Sequence, residues 1–97
     1  MTLSTEKIDG LCKIRIEGDM TIFNANDLKK DLMEIVDECP ELEVDLSRVS
    51  EVDTSGLQLL ILAKRESKSL NKAFRVVSYS PGILNVMELF NIKDYFN

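Results

Sequence analysis

The chain has 97 residues, of which 44% are hydrophobic and 30% charged, with a formal net charge of -5 and a pI near 4.7. That size suits one domain built on one core and leaves no room for a separate catalytic module, while the acidic surplus argues against a nucleic-acid-tracking face and against binding to anionic membranes. Histidine is absent and Cys12 and Cys39 have no C-x-x-C spacing, which removes the commonest zinc ligands; two reduced, mostly buried thiols are expected, with a single Cys12–Cys39 disulfide left open.

Ile8 precedes an Asp9-Gly10 pair, a strong two-residue hairpin signal, and beyond it Cys12, Ile14 and Ile16 alternate with polar neighbours. Two antiparallel strands should flank that turn, the second ending at Gly18. From about Asn24 to Glu38 the apolar positions Ala25, Leu28, Leu32, Ile35 and Val36 recur at helical spacing, with Asn24 as N-cap and Pro40 as stop. Leu42 to Leu46 alternates as a strand does, and helix followed by strand implies a right-handed crossover and a partly parallel sheet. A loop is expected from Ser47 to Val52. A helix from about Thr54 to Leu70 follows, apolar nearly all round in its first half and wet in its second, where Lys64, Arg65, Lys68 and Lys72 read as a solvated face. Ala73 to Ser78 is the next strand. Ser80-Pro81 opens a last helix carrying Ile83, Val86, Met87 and Phe90 on one face, ended near Asn91. No apolar run approaches the roughly 20 residues of a membrane span, and no basic segment leads into an apolar one at the N-terminus, so the expected compartment is the cytoplasm, without membrane insertion.

The informative stretch is Val49 to Leu57. It puts Asp53, Thr54 and Ser55 just ahead of an apolar helix, where the opening backbone N–H groups lack intrahelical partners. Asp53 or Thr54 serves there as a cap, a purely structural role. The same geometry suits a regulatory role: a hydroxyl at a helix start is reachable, and a phosphate there meets the positive end of the helix dipole. Gly56 is read as the gap through which another protein's active site approaches Ser55. Gln58 with Leu59 or Leu62, if exposed, would form the apolar centre of a partner interface, with Asp53 and Thr21 at its rim and Met20 and Phe23 joining from the neighbouring loop.

Gly18-Asp19-Met20-Thr21, the strand Leu42 to Leu46, the loop ending Val52-Asp53-Thr54-Ser55-Gly56-Leu57, and Ser80-Pro81 before the last helix together resemble the STAS, or anti-sigma factor antagonist, family across essentially the whole chain. The resemblance implies a single α/β STAS-like domain over residues 1–97, with a mixed sheet of mostly parallel strands, an antiparallel first strand, and helices packed upon it. In the antagonist branch, the small hydroxyl residue before that glycine is phosphorylated by a partner anti-sigma factor acting as a serine kinase, and a PP2C-type phosphatase reverses the mark. By position the acceptor is Ser55. The implied partner-binding residues are Asp53, Thr54, Gly56, Leu57, Gln58, Thr21 and Met20. Many antagonists carry an aspartate three residues after the glycine of the second strand; here Thr21 stands there and the acid lies earlier, at Asp19. Met20-Thr21-Ile22-Phe23 and the run from Leu57 to Glu66 look more like stand-alone STAS proteins of chemotaxis-type signalling than like sporulation antagonists.

Enzymatic activity is not expected. There is no histidine, no cysteine beside an activating base and no P-loop, and a carboxylate next to a serine at a helix start caps more readily than it deprotonates. No catalytic residue, metal ligand or cofactor is therefore assigned. The competing reading is a non-phosphorylated STAS scaffold subunit of a lipid-transport or chemotaxis-type complex, with Thr54 or Ser55 in a fixed interface.

Overall fold

The computed structural model describes residues 2–96. Strands β1 (Thr2–Ile8) and β2 (Leu11–Met20) form an antiparallel hairpin. Its turn residues Asp9 and Gly10 both take positive φ, 48° and 85°, as a tight turn matched to strand twist requires. From β2 the chain crosses through α1 (Ala25–Glu38) to β3 (Glu41–Val52), then through α2 (Thr54–Ser69) to β4 (Ala73–Tyr79), and both crossovers produce parallel pairs. The sheet order is β1-β2-β3-β4, and the chain closes with α3 (Pro81–Leu89) and a 3₁₀ turn over Lys93–Phe96. The mixed α/β architecture expected from the sequence is the one observed.

One face of the sheet is the core face. Cys12, Ile14 and Ile16 of β2, Leu42, Val44 and Leu46 of β3, and Phe74 and Val76 of β4 are buried together with Leu28 and Leu32 of α1, Leu60 of α2 and Met87 of α3. A fully buried leucine or isoleucine of this kind contributes roughly 2 kcal/mol. The other face is polar and its charges pair across strands: Arg15 with Asp45 at 3.2 Å, and Arg75 with both Glu41 and Glu43 at 3.3 and 3.0 Å. Such exposed pairs add little stability.

Two expected boundaries move. β2 continues past Gly18 to Met20, with Gly18 at φ 94° inside a register shift. The segment from Ser47 to Val52, expected as a loop, is the second half of β3. A bulge there makes Arg15 face Asp45 while Glu17 faces Arg48, so the buried positions jump from Leu46 to Val49 and the simple alternation is lost.

Two side chains depart from their expected roles. Lys72 is not part of a solvated face; its ammonium donates to the Asp37 carbonyl at 2.8 Å and to that of Val36, satisfying the open C-terminal end of α1. Its companion Lys64 lies 5.5 Å from the centre of the Tyr95 ring, while Arg65 and Lys68 do face solvent. Cys12 and Cys39, expected as reduced thiols, are joined as a disulfide with Cα atoms 6.1 Å apart. The crossover explains the meeting: α1 returns the chain so that Leu42 pairs with Cys12, which brings Cys39 back beside the start of β2.

Candidate functional site

The site is built where β2 and β3 end side by side, with Met20 opposite Val52. Asp53 is the N-cap of α2, its extended backbone (φ -114°, ψ -174°) turning the carboxylate back over the first turn. Oδ1 accepts from the backbone N–H of Ser55 at 2.9 Å and of Gly56 at 3.2 Å. Oδ2 accepts from the N–H of Ile22 at 2.9 Å, and the Asp53 N–H itself donates to the Met20 carbonyl at 3.2 Å. One aspartate thus caps a helix and staples the β2–α1 turn to it.

That turn is pinned from its other side as well. Asn24 stands at the N-cap of α1 as expected, but its side chain does not cap the helix. Instead Oδ1 accepts from the Thr21 N–H at 2.9 Å and Nδ2 donates to the Asp19 carbonyl at 2.8 Å, while the Asn24 N–H donates to the Thr21 carbonyl at 3.1 Å.

The Asp53 carboxyl is held below the usual carboxylate range. The Ile22 N–H is the leading cause, the Gly56 and Ser55 N–H groups reinforce it, and partial desolvation opposes it. A depressed folded-state pKa means that the ionised cap favours the native state above the unfolded value of about 3.9, and that this contribution is lost as pH falls through the lower folded value. Asp53→Asn should therefore unfold less steeply with acid below about pH 4 than the parent does, read by circular dichroism along a pH titration. Parallel acid profiles for the two proteins would contradict the cap's charged role.

Ser55 is half-buried and lines an open groove of about 280 Å³ between α1 and α2, together with Ile22, Ala25, Asn26, Lys29, Gln58, Leu59 and Leu62. Its position on the first helical turn and at a groove wall leaves it reachable. Thr54 and Gln58 are exposed and Thr21 is half-buried beside them. Three residues named for partner contact sit elsewhere. Met20 is wholly buried and Leu57 is nearly so, because both point into the core beneath the groove; neither offers surface to a partner. Gly56 is buried too. A Cβ there would lie 2.2 Å from the Met20 carbonyl oxygen, so the missing side chain lets α2 dock on β2 and does not open an approach for an enzyme. Ile22 lines the groove but is not among the partner-binding residues expected from the sequence, where it appears only within the Met20-Thr21-Ile22-Phe23 resemblance.

A second, larger concavity of about 430 Å³ lies on the polar face of the sheet, lined by Ser4, Lys13, Arg15, Glu43 and Asp45 among others. Its charges are largely neutralised by the cross-strand pairs described above. Among the described residues no cluster of three or more acidic or cysteine side chains is placed to hold a metal ion, and no helix is long and apolar enough to cross a membrane.

A mixed sheet fronted by a capped helix with a hydroxyl in its first turn defines the class of this protein as a single α/β domain. The chain belongs to the STAS family: the family model described as "Mlab, STAS domain" matches residues 4–96. Over 97 residues it is 25% identical to BtrV of Bordetella bronchiseptica, a protein named as an anti-sigma factor antagonist, with 99% of this chain and 84% of BtrV covered. The crystal structure of an anti-sigma factor antagonist from Mycobacterium paratuberculosis superposes with a TM-score of 0.87 at 25% identity, covering 98% of this chain and 81% of the other. The fold is also that of the anti-sigma factor antagonist SpoIIAA. Its unphosphorylated form gives a TM-score of 0.80 at 15% identity, covering 97% of this chain and 84% of SpoIIAA. The Bacillus protein's phosphorylated form gives 0.74 at 15% identity, covering 97% and 87%.

Proposed function

We propose that this domain is a reversible protein-binding switch of the anti-sigma factor antagonist kind, set by phosphorylation of Ser55. A partner anti-sigma factor with serine kinase activity supplies ATP and transfers its γ-phosphoryl group to the Ser55 oxygen, releasing ADP and the hydroxyl proton; a PP2C-type phosphatase hydrolyses the ester to restore the alcohol. The reading places the protein in the cytoplasm and gives it no catalytic residue of its own. The observation that carries it is Ser55 on the first turn of α2 at the wall of an open groove. The existence of SpoIIAA in phosphorylated and unphosphorylated forms supports the same assignment.

The local electrostatics say what the phosphate would do. The N–H groups of Ser55 and Gly56 are already occupied by Asp53, so a phosphate finds the helix dipole but not its nearest donors. It adds a charge of about -1.5 to -2 beside Asp53 and Glu51 on a chain already at -5. The added repulsion acts on whatever covers the groove more than on the fold.

Isothermal titration with the cognate kinase should show Ser55→Asp binding on the order of tenfold or more weaker than the parent, with Ser55→Ala binding normally but resisting phosphorylation. Phosphosite mapping of the protein from its native cell should find the phosphate on Ser55. If no phosphate is found there and all three proteins retain the same partners, the non-phosphorylated scaffold of a lipid-transport or chemotaxis-type complex replaces the switch.

A further inference from the structure

Phe23 is 95% exposed, more than any other large hydrophobic side chain described, and its neighbour Ile22 is 65% exposed. Nothing in the fold calls for this, since the core beneath is filled by Met20, Leu28 and Leu59 without them. Resting on the phosphorylation reading above, we propose that Phe23 is the anchor by which the kinase acting on Ser55 grips this domain, and that it fits an apolar pocket ringed by basic side chains.

Continuity of surface selects the occupant. Ile22 and Ser55 line one groove, floored by Ala25, Leu59 and Leu62. A phosphoryl donor must come within roughly 3–3.5 Å of the serine oxygen, so any enzyme reaching Ser55 also covers the turn that carries Phe23. Leu89 and Phe90 at the end of α3 are exposed as well, but they line no groove with Ser55. The rim supplies the charge: Asp19, Asp27 and Glu51 are exposed around the turn on a chain of net charge -5, with Lys29 the basic member of the groove wall. A basic collar around an apolar pocket is the complementary surface.

The turn is also pre-organised. Asp53 holds the Ile22 N–H, and Asn24 holds the Thr21 N–H and the Asp19 carbonyl, so little freedom remains to be lost when Phe23 is engaged. A side chain presented on a fixed turn beside a groove has the character of a binding hot spot. The same Asp53 carboxylate binds the Ser55 N–H, which puts the grip and the phosphorylated position on one hydrogen-bonded unit.

The test uses the serine kinase co-purified with this domain from its native cell, with ATP, against the parent, Phe23→Ala, Phe23→Leu and the control Leu89→Ala. Phe23→Ala should weaken binding on the order of 30-fold and lower kcat/KM for phosphorylation alike, Phe23→Leu should recover part of both, and Leu89→Ala should match the parent. Denaturation midpoints should be the same for all four, because Phe23 has almost no buried area to lose. Parent-like affinity and phosphorylation in Phe23→Ala would overturn the anchor while leaving the switch at Ser55 intact. Failure of the parent itself to be phosphorylated at Ser55 would remove both. Sedimentation velocity decides the remaining occupant: a parent that self-associates through this turn, and a Phe23→Ala variant that does not, would replace the kinase with a second copy of the chain.

Discussion

Gly56→Ala should destabilise the domain by about 2 kcal/mol, lowering its midpoint of thermal unfolding by on the order of 10 °C. Two effects compete. Alanine is the better helix former by up to about 1 kcal/mol, which favours the variant. Against it, the new methyl would stand 2.2 Å from the Met20 carbonyl oxygen, 2.8 Å from Met20 Cβ and 2.9 Å from the Met20 carbonyl carbon. Two of those atoms are backbone, and the carbonyl is fixed by the Asp53 N–H, so no flexible side chain can swing aside. Forced overpacking of this sort costs about 1–3 kcal/mol, and here it should prevail. Gly82→Ala is the internal comparison. Its Cβ would meet only the Ser50 carbonyl, at 3.1 Å, and a shift of a few tenths of an ångström in α3 relieves it. Urea denaturation should find Gly82→Ala close to the parent and Gly56→Ala well below it; equal stability of the two variants would mean that α2 does not sit this tightly on β2.

That contrast also shows what could be read before folding and what could not. Asp53, Ser55 and the helix they open were legible because capping is a local matter, decided by a side chain and N–H groups two or three residues away. The Asp9-Gly10 hairpin and the Ser80-Pro81 helix start were legible for the same reason; Ser80 indeed accepts from the Ile83 N–H. Gly56 stands out in the sequence, but the space beside it is filled by Met20. A missing side chain looks identical in sequence whether the space is empty or filled by a neighbouring strand, and only the approach of Met20 distinguishes them. Asn24 takes the expected N-cap position, but its side chain does not cap, because two backbone groups of the preceding turn outcompete the helix for it. The second half of β3 was hidden by its bulge, which shifts the buried positions from even to odd numbers and erases the period that marks a strand. Phe23 is expected from the sequence only as a loop residue that could join a partner surface, and neither its degree of exposure nor that of Ile22 is legible there. Their exposure follows from a turn tied down by Asp53, across 31 residues of sequence.

Reducing the Cys12–Cys39 disulfide should lower stability by about 3.5 kcal/mol, and the midpoint of thermal unfolding by on the order of 15–25 °C, because the bond closes a loop with a sequence separation of 27 and restricts the unfolded chain. Unfolding with and without reductant measures this directly, and coincident curves would show that the bond is not formed in the native protein. The site should be indifferent to the change. Cys39 terminates α1 at the end opposite the Ile22–Phe23 turn, and the helix's 14 residues span about 21 Å. Cys12 lies at the start of β2, whereas Ser55 follows the strands' other end. The Lys72 ammonium on the Val36 and Asp37 carbonyls still anchors that end of α1 once the sulfurs part. Phosphorylation of Ser55 and affinity for the kinase should then be the same for the reduced and oxidised protein at temperatures where both are folded. A domain working in a reducing cytoplasm would rely on its core and the Lys72 clasp alone, with the Ser55 end of α2 untouched.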